Sequence, residues 1–299
     1  MIKTTPFEMV FIIRDIMKRY VLDHDQVMNL LPDRACDGHK GDFGKVLLLC
    51  GSRGYTGAAA LAAMGALRCG AGLVYLAVPE SIYQIEAVKL TEPVVIPLPD
   101  CNGGYGPDAE AMLLSIMQDK HAVLVGPGIG RSDGALSVVR TVLKNFSGPV
   151  ILDADGINVL QDHKDLLRGR TSPTILTPHE GEFQRIGGRI LDDGRAASAG
   201  RLANSLGVIV LLKGHRTIIT DGNVYFENPT GNPGMATGGS GDVLAGMITA
   251  LIGQGLSPLN AAACGAWLHG AAGDICAKEI GQYGMLPTDM LHVLPRLLK

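Results

Sequence analysis

The chain has 299 residues, of which 46% are hydrophobic and 18% charged, with a formal net charge of −3; charge this sparse, against about 25% in an average globular chain, marks a well-buried protein. With no long basic run, nucleic acid and anionic membrane are excluded as main partners, and no apolar run reaches the roughly 18 residues of a membrane span. Glycine, at 40 residues, runs at nearly twice its usual ~7% without a repeating period, which predicts many tight turns or close backbone approaches.

The opening MIKTTPFEMVFIIRDIMKRY has an apolar patch bracketed by Glu8 and Arg14, with no small-residue cleavage site behind it. It does not read as a signal peptide, and a cytoplasmic protein is expected. Residues 1–35 are expected to form a peripheral helical segment, and 36–299 a single domain. From residue 45 short apolar runs alternate with helical patterns: VLLLC (46–50), an Ala-rich helix (58–70), LVYLAV (73–78), VVI (94–96), AVLVG (122–126), a helix near 134–145, PVILD (149–153), TILTP (174–178) and VIVLLKG (208–214). That alternation predicts an α/β fold with a mostly parallel central sheet and helices on both faces. TIIT (217–220) and VYFE (224–227) flank Asp221-Gly222-Asn223 and predict a late β-hairpin. Helices are expected over 239–253, 258–279 and 288–298. The six cysteines (36, 50, 69, 101, 264, 276) form no C-x-x-C pair and read as buried thiols of a reducing compartment.

Ligands of such sheets lie beyond the carboxyl ends of the strands. Five loops rich in glycine and polar residues fall there: GSRGYTG (51–57), GPGIG (126–130), DADGIN (153–158), TPHEGEF (177–183) and KGHRT (213–217). Each alone reads as a tight strand-to-helix turn; five on one rim read as a site.

The stretch TGGSGDVLAGMITALI (237–252) asks more of its glycines than a helix start requires. An N-cap needs one side-chain oxygen, from Ser240 or Asp242. Capping gains nothing from Gly238, Gly239 and Gly241. Glycines ahead of a helix, where free N–H groups meet the positive end of the dipole, suit a bound anion such as phosphate. A carboxylate beside bound phosphate would be repelled, so Asp242 is assigned the role of general base. Other motifs fail. The chain has no G-x-x-x-x-G-K-[ST]; GPGIG-Arg131 misses the last glycine of G-x-G-x-x-G; GGSGD places Asp242 where a nucleophile elbow needs glycine; and His179-Glu180-Gly181-Glu182 lacks a second histidine, so no structural metal is expected.

GSGD before a helix resembles the GxGD signature of the ribokinase-like fold. Together with HKGDFGKVLLLCGS (39–52), GAAALAAMGALRCGAGLV (57–74), GPGIG, LDADGINVL (152–160), LTPHEGEF (176–183), LLKGHRTII (211–219) and PTGNPGMATGGSGDVLAGMI (229–248), it resembles the ADP-dependent NAD(P)H-hydrate dehydratases from about residue 31 to the C-terminus. The resemblance implies that residues 36–299 form a ribokinase-like domain, which uses ADP to dehydrate the S-epimer of NADH or NADPH hydrate and releases AMP and phosphate. It also implies Mg²⁺ as cofactor and a homotetramer, and the Ala-rich helix 58–70 suggests a homo-oligomer. Members often carry an N-terminal epimerase domain, for which about 35 leading residues are too few.

Carried over residue by residue, the resemblance makes Asp242 the catalytic base. Gly239, Ser240 and Gly241 supply backbone N–H groups to the phosphoryl. Lys213, Gly214, His215, Arg216 and Thr217 form the nucleotide segment, with His215 and Arg216 departing from its commonest form. Ala58, Gly128 and His179, with Asp242, hold the hydrated dinucleotide; His179 also reads as an ordinary helix-start residue. Asp153 and Asn158 line the wall, and Glu180 and Glu182 orient Mg²⁺ through water. Two alternatives stay open: a small-molecule kinase of the same fold, and a nucleotide-binding sensor, against which Asp242 speaks because binding phosphate needs no carboxylate.

Overall fold

In the computed structural model, which describes residues 17–298, the order is β1 (Lys18–Tyr20), α1 (His24–Leu30), β2 (Lys45–Leu49), α2 (Thr56–Arg68), β3 (Leu73–Pro79), α3 (Glu80–Lys89), β4 (Val94–Leu98), a two-strand flap of β5 (Asp100–Cys101) and β6 (Gly104–Tyr105), α4 (Ala109–Met117), β7 (Ala122–Val125), α5 (Asp133–Asn145) and β8 (Val150–Leu152). There follow α6 (Asp155–Asn158), α7 (Asp165–Arg168), β9 (Thr174–Leu176), α8 (Glu180–Arg185), α9 (Gly194–Leu206), β10 (Ile209–Leu212), β11 (Ile218–Thr220), β12 (Val224–Glu227), α10 (Ser240–Gly253), α11 (Pro258–Glu279) and α12 (Pro287–Val293). The main sheet runs β1-β12-β11-β10-β9-β8-β7-β2-β3-β4. Every pairing in it is parallel except those of β11 with β10 and β12. The late hairpin is as expected, with Asp221 Oδ1 accepting from the amides of Asn223 (2.8 Å) and Val224 (3.0 Å).

Continuous apolar strands are what a sheet covered on both faces needs, and the period of two divides them. Val46, Leu48, Leu124, Ile151 and Leu211 pack under α2, α10 and α11. Leu47, Leu49, Val123, Leu152 and Leu212 pack under α4, α5 and α9. On the first face α2 lies against α10 through small residues. Ala59, Ala62, Ala63 and Ala66 of α2 are fully buried, and a Cβ on Gly246 of α10 would run into the Ala62 carbonyl. The alanines offered for self-association are thus spent inside the chain, bringing two backbones together under the rim.

Two expectations need correction. The segment 1–35 is not simply helical: its first 16 residues lie outside the described ones, and Lys18–Tyr20 adds an edge strand parallel to β12, with Tyr20 stacked on Phe226 at 5.4 Å and Arg19 paired with Glu227 at 3.1 Å. An exposed three-residue edge strand has no alternation to betray it, whereas the following α1 is marked by the Asp23 capping box. Among the cysteines, Cys36 and Cys101 are exposed; the other four are buried.

Candidate active site

Because β2, β7, β8, β9 and β10 run parallel, the five glycine-rich and polar loops leave one rim of the sheet together. The α10 N-terminus faces that rim. Its N-cap is Gly239, in a left-handed conformation (φ 94°) that glycine tolerates best, and no side chain caps it. Neither Ser240 nor Asp242 therefore does the capping job. Of the first amides of this 14-residue helix, that of Ser240 donates to the Thr237 carbonyl at 3.4 Å, and those of Gly241 and Asp242, with no side-chain cap, are open to a ligand.

Below those amides lies a small charged cluster. Lys213, at the end of β10, places Nζ 2.8 Å from Asp153 Oδ1 and 4.0 Å from Glu182 Oε2. Nζ is also 3.2 Å from where a Cβ on Gly241 would stand. Thr177 donates its hydroxyl to Asp153 Oδ1 at 2.6 Å, so the buried carboxylate is fixed from two sides. Burial draws the lysine down, but Asp153, Glu182 and Asp242 outweigh it and hold Lys213 above its ordinary value. Asp242, in the first turn of α10, is pushed up to about 6, first by burial and then by the charge of Asp153, with Lys213 opposing and Glu182 adding. A half-buried carboxylate poised near neutrality, beside free amides and an ammonium group, can accept a proton from a hydroxyl while an anion is held next to it.

A cavity of about 640 Å³ opens beside the cluster. His179, Lys213, Gly214, His215, Arg216, Thr217, Ser240 and Gly241 lie on its wall, whereas Gly239, Asp242, Ala58 and Gly128 do not. The KGHRT turn is a hairpin loop between β10 and β11. Thr217 closes it by donating to the Gly214 carbonyl at 3.0 Å, and Arg216, at φ 52°, sends its guanidinium away to Glu227 at 2.9 Å. Arg195 of α9 braces the loop from behind through the carbonyls of Leu212 (3.2 Å) and Lys213 (2.9 Å).

His179 is a helix-start residue that also lines the cavity. Its Nδ1 accepts from the Gly181 amide (3.0 Å) to cap α8, with Glu182 completing the capping box, while its ring remains half-exposed on the cavity wall. Glu180 pairs with Arg195, and Glu182 accepts from the His179 amide at 3.0 Å, so both carboxylates expected to orient Mg²⁺ already have protein partners. Further along the rim, Gly128 (φ 65°) meets Ala58: a Cβ there would stand 3.0 Å from that of Ala58, and Ser52 pins the Gly128 carbonyl at 2.7 Å. Asn158 accepts from Arg185 at 2.5 Å and donates to Asp155 at 3.2 Å, and it does not line the cavity.

The family model described as NAD(P)H-hydrate dehydratase matches residues 46–296. The chain belongs to the NAD(P)H-hydrate dehydratase family. It is 45% identical over 275 residues to the bifunctional NAD(P)H-hydrate repair enzyme of Moorella thermoacetica, covering 90% of this chain and 52% of that protein. It spans about half the length of the curated relatives it matches. Among solved structures, the ADP/ATP-dependent NAD(P)H-hydrate dehydratase of Bacillus subtilis, co-crystallised with ATP and Mg²⁺, is 31% identical with a TM-score of 0.80, covering 94% of this chain and 98% of that one. A ribokinase-like superfamily protein of Enterococcus faecalis is 29% identical with a TM-score of 0.82, covering 93% and 94%. The ribokinase-like fold of this dehydratase-family chain is thereby established.

Within the family site, His269 of α11 was not foreseen from sequence. It is buried on the cavity wall, with Nε2 3.4 Å from Ser240 Oγ. The asparagine-rich wall was also missed: Asp274 of α11 accepts from the Gly231 amide at 2.9 Å and from Asn232 Nδ2 at 3.0 Å. A lone histidine and an aspartate in the small-residue run AWLHGAAGD were the available signal. Among the described residues no helix is long and apolar enough to cross a membrane.

Proposed function

We propose that this chain is a hydro-lyase that uses ADP to dehydrate the S-epimer of NADH or NADPH hydrate, releasing AMP, phosphate and the restored cofactor. The observation that carries this reading is the pairing of Asp242, pushed up to about 6, with uncapped amides on the same helix turn. Asp242 takes the proton from the hydroxyl on the hydrated ring as that oxygen attacks the terminal phosphorus of ADP. The amides of Gly239, Ser240 and Gly241, with the Lys213 ammonium beneath them, stabilise charge on the transferring phosphoryl. The P–O bond to AMP breaks. Hydroxide is a poor leaving group and phosphate a good one, so the ring nitrogen lone pair then expels phosphate, and the resulting iminium loses a proton from the adjacent ring carbon to restore conjugation.

Adenosine of the nucleotide occupies the cavity beside Lys213–Thr217, and the dinucleotide runs toward Ala58 and Gly128. Among the described residues no cluster of three ligands gathers for a metal. Mg²⁺ would arrive on the phosphates, where it needs only one or two carboxylates, and would neutralise phosphate charge; Glu182 could serve only by giving up part of its contact with the His179 amide. We place the catalytic domain at 36–299, the protein in the cytoplasm and its assembly as a homotetramer. The test is incubation with NADH hydrate and Mg²⁺, with ADP or ATP supplied in turn. Faster recovery of dihydronicotinamide absorbance with ADP is expected, with AMP and phosphate formed in step. Nucleotide consumed without NADH would favour a kinase.

A further inference from the structure

His269 reaches the cavity from α11, and none of the steps above uses it. Its side chain and that of Ser240 are each only 7% exposed, and Nε2 faces Ser240 Oγ at 3.4 Å. The helix turn that carries the ring is held in place. Asn228 Nδ2 donates to the Ala266 carbonyl (3.1 Å) and Thr230 to the Trp267 carbonyl (2.9 Å), tying the cavity wall to the helix turn that carries it.

A serine hydroxyl has one proton to give. If the imidazole proton sits on Nδ1, Ser240 donates to Nε2 and turns lone pairs toward anything bound at the α10 N-terminus. If it sits on Nε2, the ring donates to Ser240 Oγ and the hydroxyl proton is free to point into the cavity. A phosphoryl oxygen is repelled by the first arrangement and bonded by the second. We propose that His269 is a positioning residue which, with its proton on Nε2, donates to Ser240 Oγ and so makes the Ser240 hydroxyl a donor to a nucleotide phosphoryl oxygen. This rests on the nucleotide reading of the same cavity. Burial pushes His269 down to about 4, with a hydrogen bond to the Ser240 backbone opposing and the Lys213 charge adding to the shift. The ring is therefore neutral near pH 7 and carries its one proton on either Nδ1 or Nε2.

The test is calorimetric titration of ADP and, separately, adenosine, which lacks the phosphates. The proteins are wild type, His269→Leu, Ser240→Ala, the double variant and His269→Gln, whose amide donates in place of Nε2. The expected result is a loss of ADP affinity of roughly tenfold or more for His269→Leu, the scale of a hydrogen bond to a charged group. Ser240→Ala should lose about as much, the double variant no more than either, and His269→Gln should recover to within a few-fold. Adenosine affinity should be unchanged throughout. Nitrogen-15 spectra of the wild-type ADP complex should show the His269 proton on Nε2, a readout that does not depend on any variant folding. Additive losses, an equal loss for adenosine, or the proton on Nδ1 would each overturn the proposal while leaving the nucleotide reading intact. A wild-type chain that binds no ADP would overturn both.

Discussion

Asp242 carries an electrostatic penalty that the proposed role of general base would explain. Its carboxyl is pushed from an ordinary 3.8 up to about 6, mainly by burial and by Asp153. The ionised form is thus disfavoured in the fold: the associated stability is present below about pH 4 and is lost as pH rises through about 6. Asp242→Asn should therefore slow turnover by about two to four powers of ten and yet stabilise the protein at pH 8 by about 1–3 kcal/mol, as read by urea unfolding. A variant that loses both activity and stability would make Asp242 a structural residue. Since the base must be ionised to work, kcat/KM should fall as pH drops through about 6. Asp153→Asn removes a charge that raises Asp242 and frees Lys213 toward it, so the acid limb should move to lower pH; an unmoved limb would assign that ionisation elsewhere. Asp242 was legible in sequence because the three glycines around it exceed what any cap requires. His269 was not, because its partner Ser240 lies 29 residues away, on another helix, and only packing brings them together.

At the scale of elements, the anion loop is placed by the small-residue contact of α2 with α10. Gly246→Ala would push a methyl group into the Ala62 carbonyl, part the helices and tilt the loop. A loss of about 1–3 kcal/mol or more in denaturant unfolding is expected, with weakened ADP binding alongside; full stability would mean that the helices have slack. Strands β2, β3, β4, β7, β8, β9 and β10 were readable because they are short apolar runs with glycine or proline close by, unlike β1, β5 and β6, and α5 because an apolar stripe follows the Ser132 cap. Helix α3 escaped notice because it reverses the usual pattern, burying Glu86 while leaving Ile85 and Val88 exposed. Helix α9 did so because its buried face is largely Ser198, Ala199, Gly200 and Ala203, small residues that give no apolar signal.

The whole molecule joins these parts through strand direction. Nine of the ten strands in the main sheet point the same way, with β11 alone reversed, so glycine-rich turns scattered from residue 51 to 217 meet on one edge facing α10. The resulting rim carries the cavity lined by Lys213–Thr217 and, outside its lining, the Ala58–Gly128 corner, and on the proposed function the first takes the nucleotide and the second the dinucleotide. The central claim is that the hydroxyl leaves as phosphate rather than as water. NADH hydrate prepared in oxygen-18 water carries the label in that hydroxyl. Turned over with ADP in unlabelled water, it should deliver one labelled oxygen to each inorganic phosphate released, as read by mass spectrometry. Label recovered in water, with the phosphate unlabelled, would contradict the account.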